Sequence, residues 1–259
     1  DISLPGSQER LIEAVHATGT PIVLIVMAGR PLTLGNVADR VEALLYAWHP
    51  GTMGGPAIAD LLFGLASPSG KLPVSFPRVV GQIPIYYARK NTGRPASLGN
   101  ITHIDDIDGR APQTSLGMSA FHLDVGFLPQ YHFGFGLSYT RFEYSDIQVS
   151  RSQMAPGDSI EISATLENLG SREGEEIAQL YLRDLVGSVT RPVRELKGFQ
   201  RVKLAPGESR RISFRLQSDD LAFYDRHMKL VTEPGDFHAW IGGSCEADLQ
   251  CEFTLVDTS

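Results

Sequence analysis

Apolar residues recur at helical spacing near the start of the chain. Leu11, Ile12 and Val15 mark a helix over Gln8 to Thr18, with Ser7 available as N-cap and Gly19 as stop. Pro21 then leads into IVLIVM, which is continuously apolar and β-branched until Gly29 ends it. A strand without polar alternation is one covered on both faces, as in a parallel sheet flanked by helices. Ala43 to Trp48 reads as a second such strand, after a loop or short helix near Leu34 to Arg40. A turn at Gly51, Gly54 and Gly55 leads into a helix from about Pro56 to Phe63, where Ala57, Ile58, Leu61 and Leu62 form one apolar stripe. Gly64 is placed to end it, and Pro68, Ser69 and Gly70 break the chain.

The first part is therefore α/β, in the order helix, strand, strand, helix. Two buried parallel strands do not complete a sheet, because edges and faces would be left in water. Packing alone thus predicts that a preceding segment supplies the remaining strands. Periodicity is then lost from Pro77 to Gln130, and structureless stretches of that length in compact domains are functional or disordered. Such a loop is free to reach the rim of an active site, or a second copy of the chain in a homodimer. Period-2 runs follow: Ile160, Ile162, Ala164, Leu166; Ala178, Leu180, Leu182; Ile212, Phe214, Leu216; Phe237, Ala239, Ile241; and Phe253, Leu255. Turn signals at Pro156-Gly157, Gly170, Pro206-Gly207 and Pro234-Gly235 separate them, which predicts an all-β sandwich. The predicted organisation is an α/β part over 1–90, a long linker over 91–141 and a β-sandwich over 142–259.

Several strings are more specific than their periodicity. WHPGTMGGPAIADLLFG, followed by SPSGKLPVSFP and PIYYARKNTGRP, resembles the carboxyl-terminal sandwich domain of family 3 glycoside hydrolases of the bacterial periplasmic β-glucosidase type. YHFGFGLSYTRF resembles the link from that domain into a fibronectin type III-like domain, and RPVRELKGFQRVKLAPGES and EPGDFHAWIGGS resemble the accessory domain itself. The resemblance implies a retaining, exo-acting β-glycosidase that removes terminal β-linked glucose from oligosaccharides using an Asp nucleophile and a Glu acid/base. In that family the Asp lies on a preceding barrel, and the Glu shortly upstream of the residues resembling Asp1 to Pro5. The implied catalytic set in this chain is therefore none, the implied partner is the amino-terminal barrel-containing polypeptide, and the chain alone is expected to be inactive. A periplasmic or secreted location is implied in the same way. A β-xylosidase or exo-glucanase of the same family, and a non-catalytic carbohydrate-binding or adhesion fragment, are the competing readings.

Composition narrows the partners. The 259 residues are 42% hydrophobic and 20% charged, with a formal net charge of −7, and Lys and Arg form no cluster. That balance argues against nucleic acid and anionic membrane surfaces. The longest apolar run, Ile22 to Ala28, falls short of the roughly 20 residues a membrane-spanning helix needs. The opening Asp-Ile-Ser-Leu-Pro carries no signal-peptide pattern and predicts that residue 1 is not the gene's first.

Ligands of open α/β sheets bind outside the carboxyl ends of the strands. Here those ends carry Arg30, Trp48 and His49, an aromatic platform with hydrogen-bonding neighbours suited to a sugar. A Trp in the core and a structural His are the alternatives. Glu13 and Glu42 read as solvated helix-face charges, and Asp1 as the residue leading into the Leu-Pro segment. His103, Asp105, Asp106 and Asp108 read as a solvated acidic loop, because the Gly and distal Glu of a Ca²⁺ loop are absent. Asn100-Ile101-Thr102 is a glycosylation sequon, relevant in a eukaryotic source. Cys245 and Cys251 flank a predicted hairpin turn at Glu246 to Leu249, so a disulfide and a pair of thiols are both open. No CxxC or neighbouring His spacing accompanies them, so the expected metal set is none, and no cofactor is expected. GLSYT is not a nucleophile elbow, and the Gly51 to Gly55 turn is not a phosphate loop.

Overall fold

The first helical stripe closes as α1 (Gln8–His16) in the computed structural model, which describes residues 1–111 and 119–257. Ser7 occupies the N-cap position without capping the helix; its Oγ accepts a 2.6 Å bond from Arg10 Nη2. The apolar runs form β1 (Val23–Val26) and β2 (Ala43–Tyr46), paired in parallel from Val23 opposite Ala43 to Val26 opposite Tyr46. A 3-10 turn at Gly35–Arg40 connects them, and α2 (Gly54–Leu62) follows. The core of this part is Val26, Leu32 and Leu34, packed by Ile2, Leu4, Leu24, Leu44 and Tyr46. Cover on both faces, expected for β1, is not met among the described residues: Val23 is 53% and Met27 64% exposed. A sheet of two strands and two short helices has too little surface to shield both faces.

The aperiodic stretch is pinned at its ends. Phe76 and Tyr131 form an antiparallel bridge, with Phe76 N donating to Tyr131 O at 2.8 Å and Gln130 N to Phe76 O at 2.7 Å. Inside it, Gln82 accepts from Arg78 N at 2.7 Å, Ile104 N donates to Leu123 O at 2.8 Å, and His122 bridges Gly126. Residues 112–118 of the 91–141 stretch lie outside the described residues. Residues 1–65, 74–85 and 92–131 make up one compact unit; residues 66–73, 86–91 and 132–259 make up a second.

The second unit is a β-sandwich. One sheet holds β3 (Phe142–Val149), β5 (Ser159–Asn168) and β8 (Ser209–Gln217) in the order β3-β5-β8, all antiparallel. The other contains β4 (Gln153–Met154), β6 (Gly174–Asp184), β7 (Glu195–Leu204), β11 (Gly235–Gly242) and β12 (Gln250–Leu255) in the order β4-β12-β11-β6-β7. β9 (Phe223–Tyr224) and β10 (Leu230–Val231) pair with each other. Every residue of the five period-2 runs is buried in the core between the sheets.

β6 departs from alternation, because its outward residues Gln179 and Tyr181 are buried as well, while Glu176 falls on the core-facing side with Ala178 and Leu180. Glu176 pairs with Lys71 at 3.1 Å and accepts from Tyr144 Oη at 3.0 Å, while Lys71 Nζ also donates to Gly136 O at 2.9 Å. Burial raises the Glu176 pKa and the Lys71 ammonium opposes that rise. Tyr181 donates to Gln179 Oε1 at 2.5 Å, and Tyr87 stacks on Phe133 at 4.2 Å against it.

In place of a hairpin disulfide, the structure has two free cysteines. Cys251 faces the sandwich core opposite Ala239, whereas Cys245 packs with Tyr181 and Trp240 on the other side of the same sheet. Burial pushes the Cys245 thiol up to about 12 and the Cys251 thiol up to about 11.

Removing one partner of a buried ion pair costs about 3–5 kcal/mol, whereas replacing both by apolar groups costs far less. Lys71→Met is therefore expected to lower the unfolding free energy by about that amount in urea titrations, and Lys71→Met with Glu176→Leu to recover most of it.

Candidate functional site

β1 and β2 run parallel, so their carboxyl ends present Met27 to Arg30 and Ala47 to Gly51 on the same side. The two loops touch through His49, since a Cβ built on Gly29 would fall 2.5 Å from His49 Nε2. Only glycine lets the imidazole lie on the backbone there. Trp48 makes the turn in the left-handed region, with φ of 52°, a conformation that costs a bulky residue free energy and is held by its surroundings.

Aromatic contacts hold it. The Trp48 ring lies 4.8 Å from Tyr46 and 5.9 Å from Phe76, and Phe76 meets Tyr46 edge-on at 4.8 Å and Tyr131 at 6.2 Å. Trp48 is half-buried, and His49 and Arg30 are exposed. Tyr46 supports the Arg30 loop from below: its Oη donates to Arg30 O at 2.5 Å and accepts from Leu32 N at 3.2 Å. Burial raises the Tyr46 pKa, with the Leu32 bond opposing, so the phenol keeps its donor proton at neutral pH.

The structure thus brings Arg30, Trp48 and His49 to one rim, with an aromatic edge, an imidazole and a guanidinium available to a polar ligand. Sequence reasoning missed Tyr46, Phe76 and Tyr131. Tyr46 was readable as the residue two before Trp48 on the same strand; Phe76 and Tyr131 come from distant segments and gave no local signal.

The carboxylates have structural duties. Asp1 Oδ1 accepts from Ser3 N at 2.9 Å, Glu13 pairs with Arg40 at 2.6 Å, and Glu42 accepts from Ile22 N at 2.5 Å. Asp105 and His103 meet at 3.3 Å, but Asp106 and Asp108 do not join them in a metal-ligand group among the described residues. The sequon Asn100 spends its side chain inside the loop, accepting from Ser97 N at 2.7 Å and donating to Ser119 Oγ at 3.1 Å.

Comparison with known proteins agrees with this architecture. Residues 1–139 match the model of the glycosyl hydrolase family 3 C-terminal domain, and residues 176–245 that of the fibronectin type III-like domain. A periplasmic β-glucosidase of Salmonella typhimurium is 42% identical over 99% of this chain and 32% of its own length. A β-xylosidase of Formosa agariphila is 36% identical over 96% of this chain and 31% of its own. The crystal structure of a Listeria innocua β-glucosidase in complex with glucose superposes with a TM-score of 0.87 at 37% identity, over 98% of this chain and 33% of that one. The chain spans about a third of the length of the curated relatives it matches.

Tyr46→Phe removes both bonds to the Arg30 loop, each worth about 0.5–1.5 kcal/mol. Hydrogen exchange is expected to quicken at the Leu32 amide and to stay unchanged at Thr33, whose amide is held by Ile2 O at 2.8 Å.

Proposed function

The chain belongs to glycoside hydrolase family 3, and on that basis we propose that it forms the carboxyl-terminal part of a retaining, exo-acting β-glucosidase-like enzyme. The reaction is hydrolysis of terminal β-linked glucose from oligosaccharides. Both catalytic carboxyl groups lie on the amino-terminal part, the Asp on the barrel and the Glu shortly upstream of Asp1, about 5 to 5.5 Å apart as double displacement requires.

One observation carries the reading: similarity to a protein named as a periplasmic β-glucosidase runs over 99% of this chain but over 32% of that protein. The uncovered apolar surface of the first unit supports it. Leu11, Met27, Met53, Phe63 and Leu65 are each more than 60% exposed, and such side chains bury favourably against further elements of an α/β sandwich. The name of the same relative supports a periplasmic or secreted location.

In this reading Trp48, His49 and Arg30 wall the sugar pocket, Trp48 through the ring face left free by Tyr46 and Phe76, His49 and Arg30 through hydrogen bonds to hydroxyl groups. A second reading keeps the family and changes the sugar to xylose, favoured by the β-xylosidase relative at 36% identity.

Purified alone, the chain is expected to leave p-nitrophenyl β-glucoside intact, and the protein that also contains the barrel to hydrolyse it. Turnover by the chain alone would overturn the assignment of the carboxylates, and preference for the β-xyloside would select the second reading. In the complete enzyme, Trp48→Ala is expected to raise KM about 2- to 10-fold, the equivalent of one aromatic contact, with a smaller change in kcat. Unchanged KM and kcat would remove Trp48 from the pocket.

A further inference from the structure

One cluster of ligand-bearing side chains belongs to the second unit. We propose that His132, Cys245 and Glu246 form a binding site for a borderline-soft divalent cation of the Zn²⁺ class. Their three ligand atoms lie within 4.8 Å of one another, and no other such group exists among the described residues. His132 Nδ1 is 3.2 Å from Glu246 Oε1, and Cys245 Sγ is 3.7 Å from the same oxygen.

These spacings fit tetrahedral coordination. Bonds of about 2.0–2.1 Å to nitrogen and oxygen and about 2.3 Å to sulfur place ligand atoms about 3.3 Å apart for N and O and about 3.5 Å apart for S and O. The two edges that meet at Glu246 Oε1 thus match within a few tenths of an ångström, and the His132–Cys245 edge, within 4.8 Å, closes toward about 3.5 Å by movement of those two side chains. Imidazole, thiolate and carboxylate together select Zn²⁺ over Ca²⁺ and Mg²⁺, which take all-oxygen sets. A water completes the fourth position on the exposed side of Glu246.

The supports are built in. Cys245 N donates to Phe133 O at 3.1 Å and its carbonyl accepts from Arg194, whose guanidinium lies 4.4 Å over the Trp240 ring. Glu246 N donates to Ser244 Oγ at 3.2 Å. Gln179 donates to Gly243 O at 2.6 Å and Gly134 O at 3.4 Å, which ties the His132 segment to the Cys245 turn. A Cβ on Gly134 would lie 2.9 Å from Ser244 Cα, so only glycine allows that approach. Arg194 is the cation that faces the cluster, and Glu246, Asp248 and the thiolate outweigh it. On binding, the Cys245 thiol releases its proton to water as the S–metal bond forms, and thiolate plus carboxylate balance the two positive charges. The ion then clips the segment before β3 to the connection between β11 and β12.

The test is titration of the full chain, stripped by chelator, with Zn²⁺ by calorimetry and with Co²⁺ by absorption. One equivalent is expected to bind, with a thiolate-to-Co²⁺ charge-transfer band. Cys245→Ser should abolish the band and weaken Zn²⁺ by at least about tenfold, while Cys251→Ser, on the opposite face of the sheet, should change neither. Absence of stoichiometric binding, or a band that survives Cys245→Ser, overturns the site. Should Cys245→Ser not fold, the partly exposed His132→Gln decides: a loss of about tenfold supports the site and retained affinity refutes it.

Discussion

A carboxylate held out of water must be met by charge, and Glu176 is the point on which the second unit turns. It sits on the core-facing side of β6, in line with Ala178, Leu180 and Leu182, where a sandwich strand ordinarily carries an apolar residue. Uncompensated, such a group costs several kcal/mol. Lys71 and Tyr144 offset that cost, and Lys71 can do so only if residues 66–73 lie beside Glu176. Leu72 then bonds the Gly134–Phe135 segment in both directions, at 2.8 and 2.7 Å. With those strands of chain in place, Tyr87 and Phe133 cover Tyr181, and the sheet gains a second buried face.

This explains what was legible in the sequence. The inward residues of β5, β6, β8, β11 and β12 could be read directly, because period 2 is a local property and each run faces the same core. The outward face of β6 could not. Gln179 and Tyr181 read as ordinary outer positions until a segment from far away in the chain is laid over them, and Glu176, in a string of glutamates, reads as solvated although it lies on the core-facing side. The cysteines show the same limit. Their spacing suggested a hairpin bridge, but Cys251 belongs to a strand with fixed parity and Cys245 to a turn folded onto the other face. His132 joins Cys245 and Glu246 from before the whole sandwich, so no spacing rule on the cysteines reaches it.

The first unit divides in the same way. Its strands, helices and the rim at Arg30, Trp48 and His49 followed from apolar runs and the rule for strand ends. The degree of cover did not. Continuous apolar runs state what a strand is able to bury, not what is present to bury it, and Val23 and Met27 remain exposed.

That contrast bears on how the rim keeps its shape. A sheet of two strands is a weak support, since each strand has a free edge. The loops at its carboxyl end are instead braced sideways. Tyr46 bonds the backbone on both sides of Pro31, His49 rests on Gly29, and Phe76 wedges Trp48 against Tyr46 while its own backbone is clamped by Tyr131. The left-handed turn at Trp48 is strained, and strain persists only where neighbours over-determine a position. Here those neighbours all belong to the first unit, drawn from three separated stretches of chain. The rim is thus set by local aromatic packing, so further strands added to the sheet meet a surface already formed.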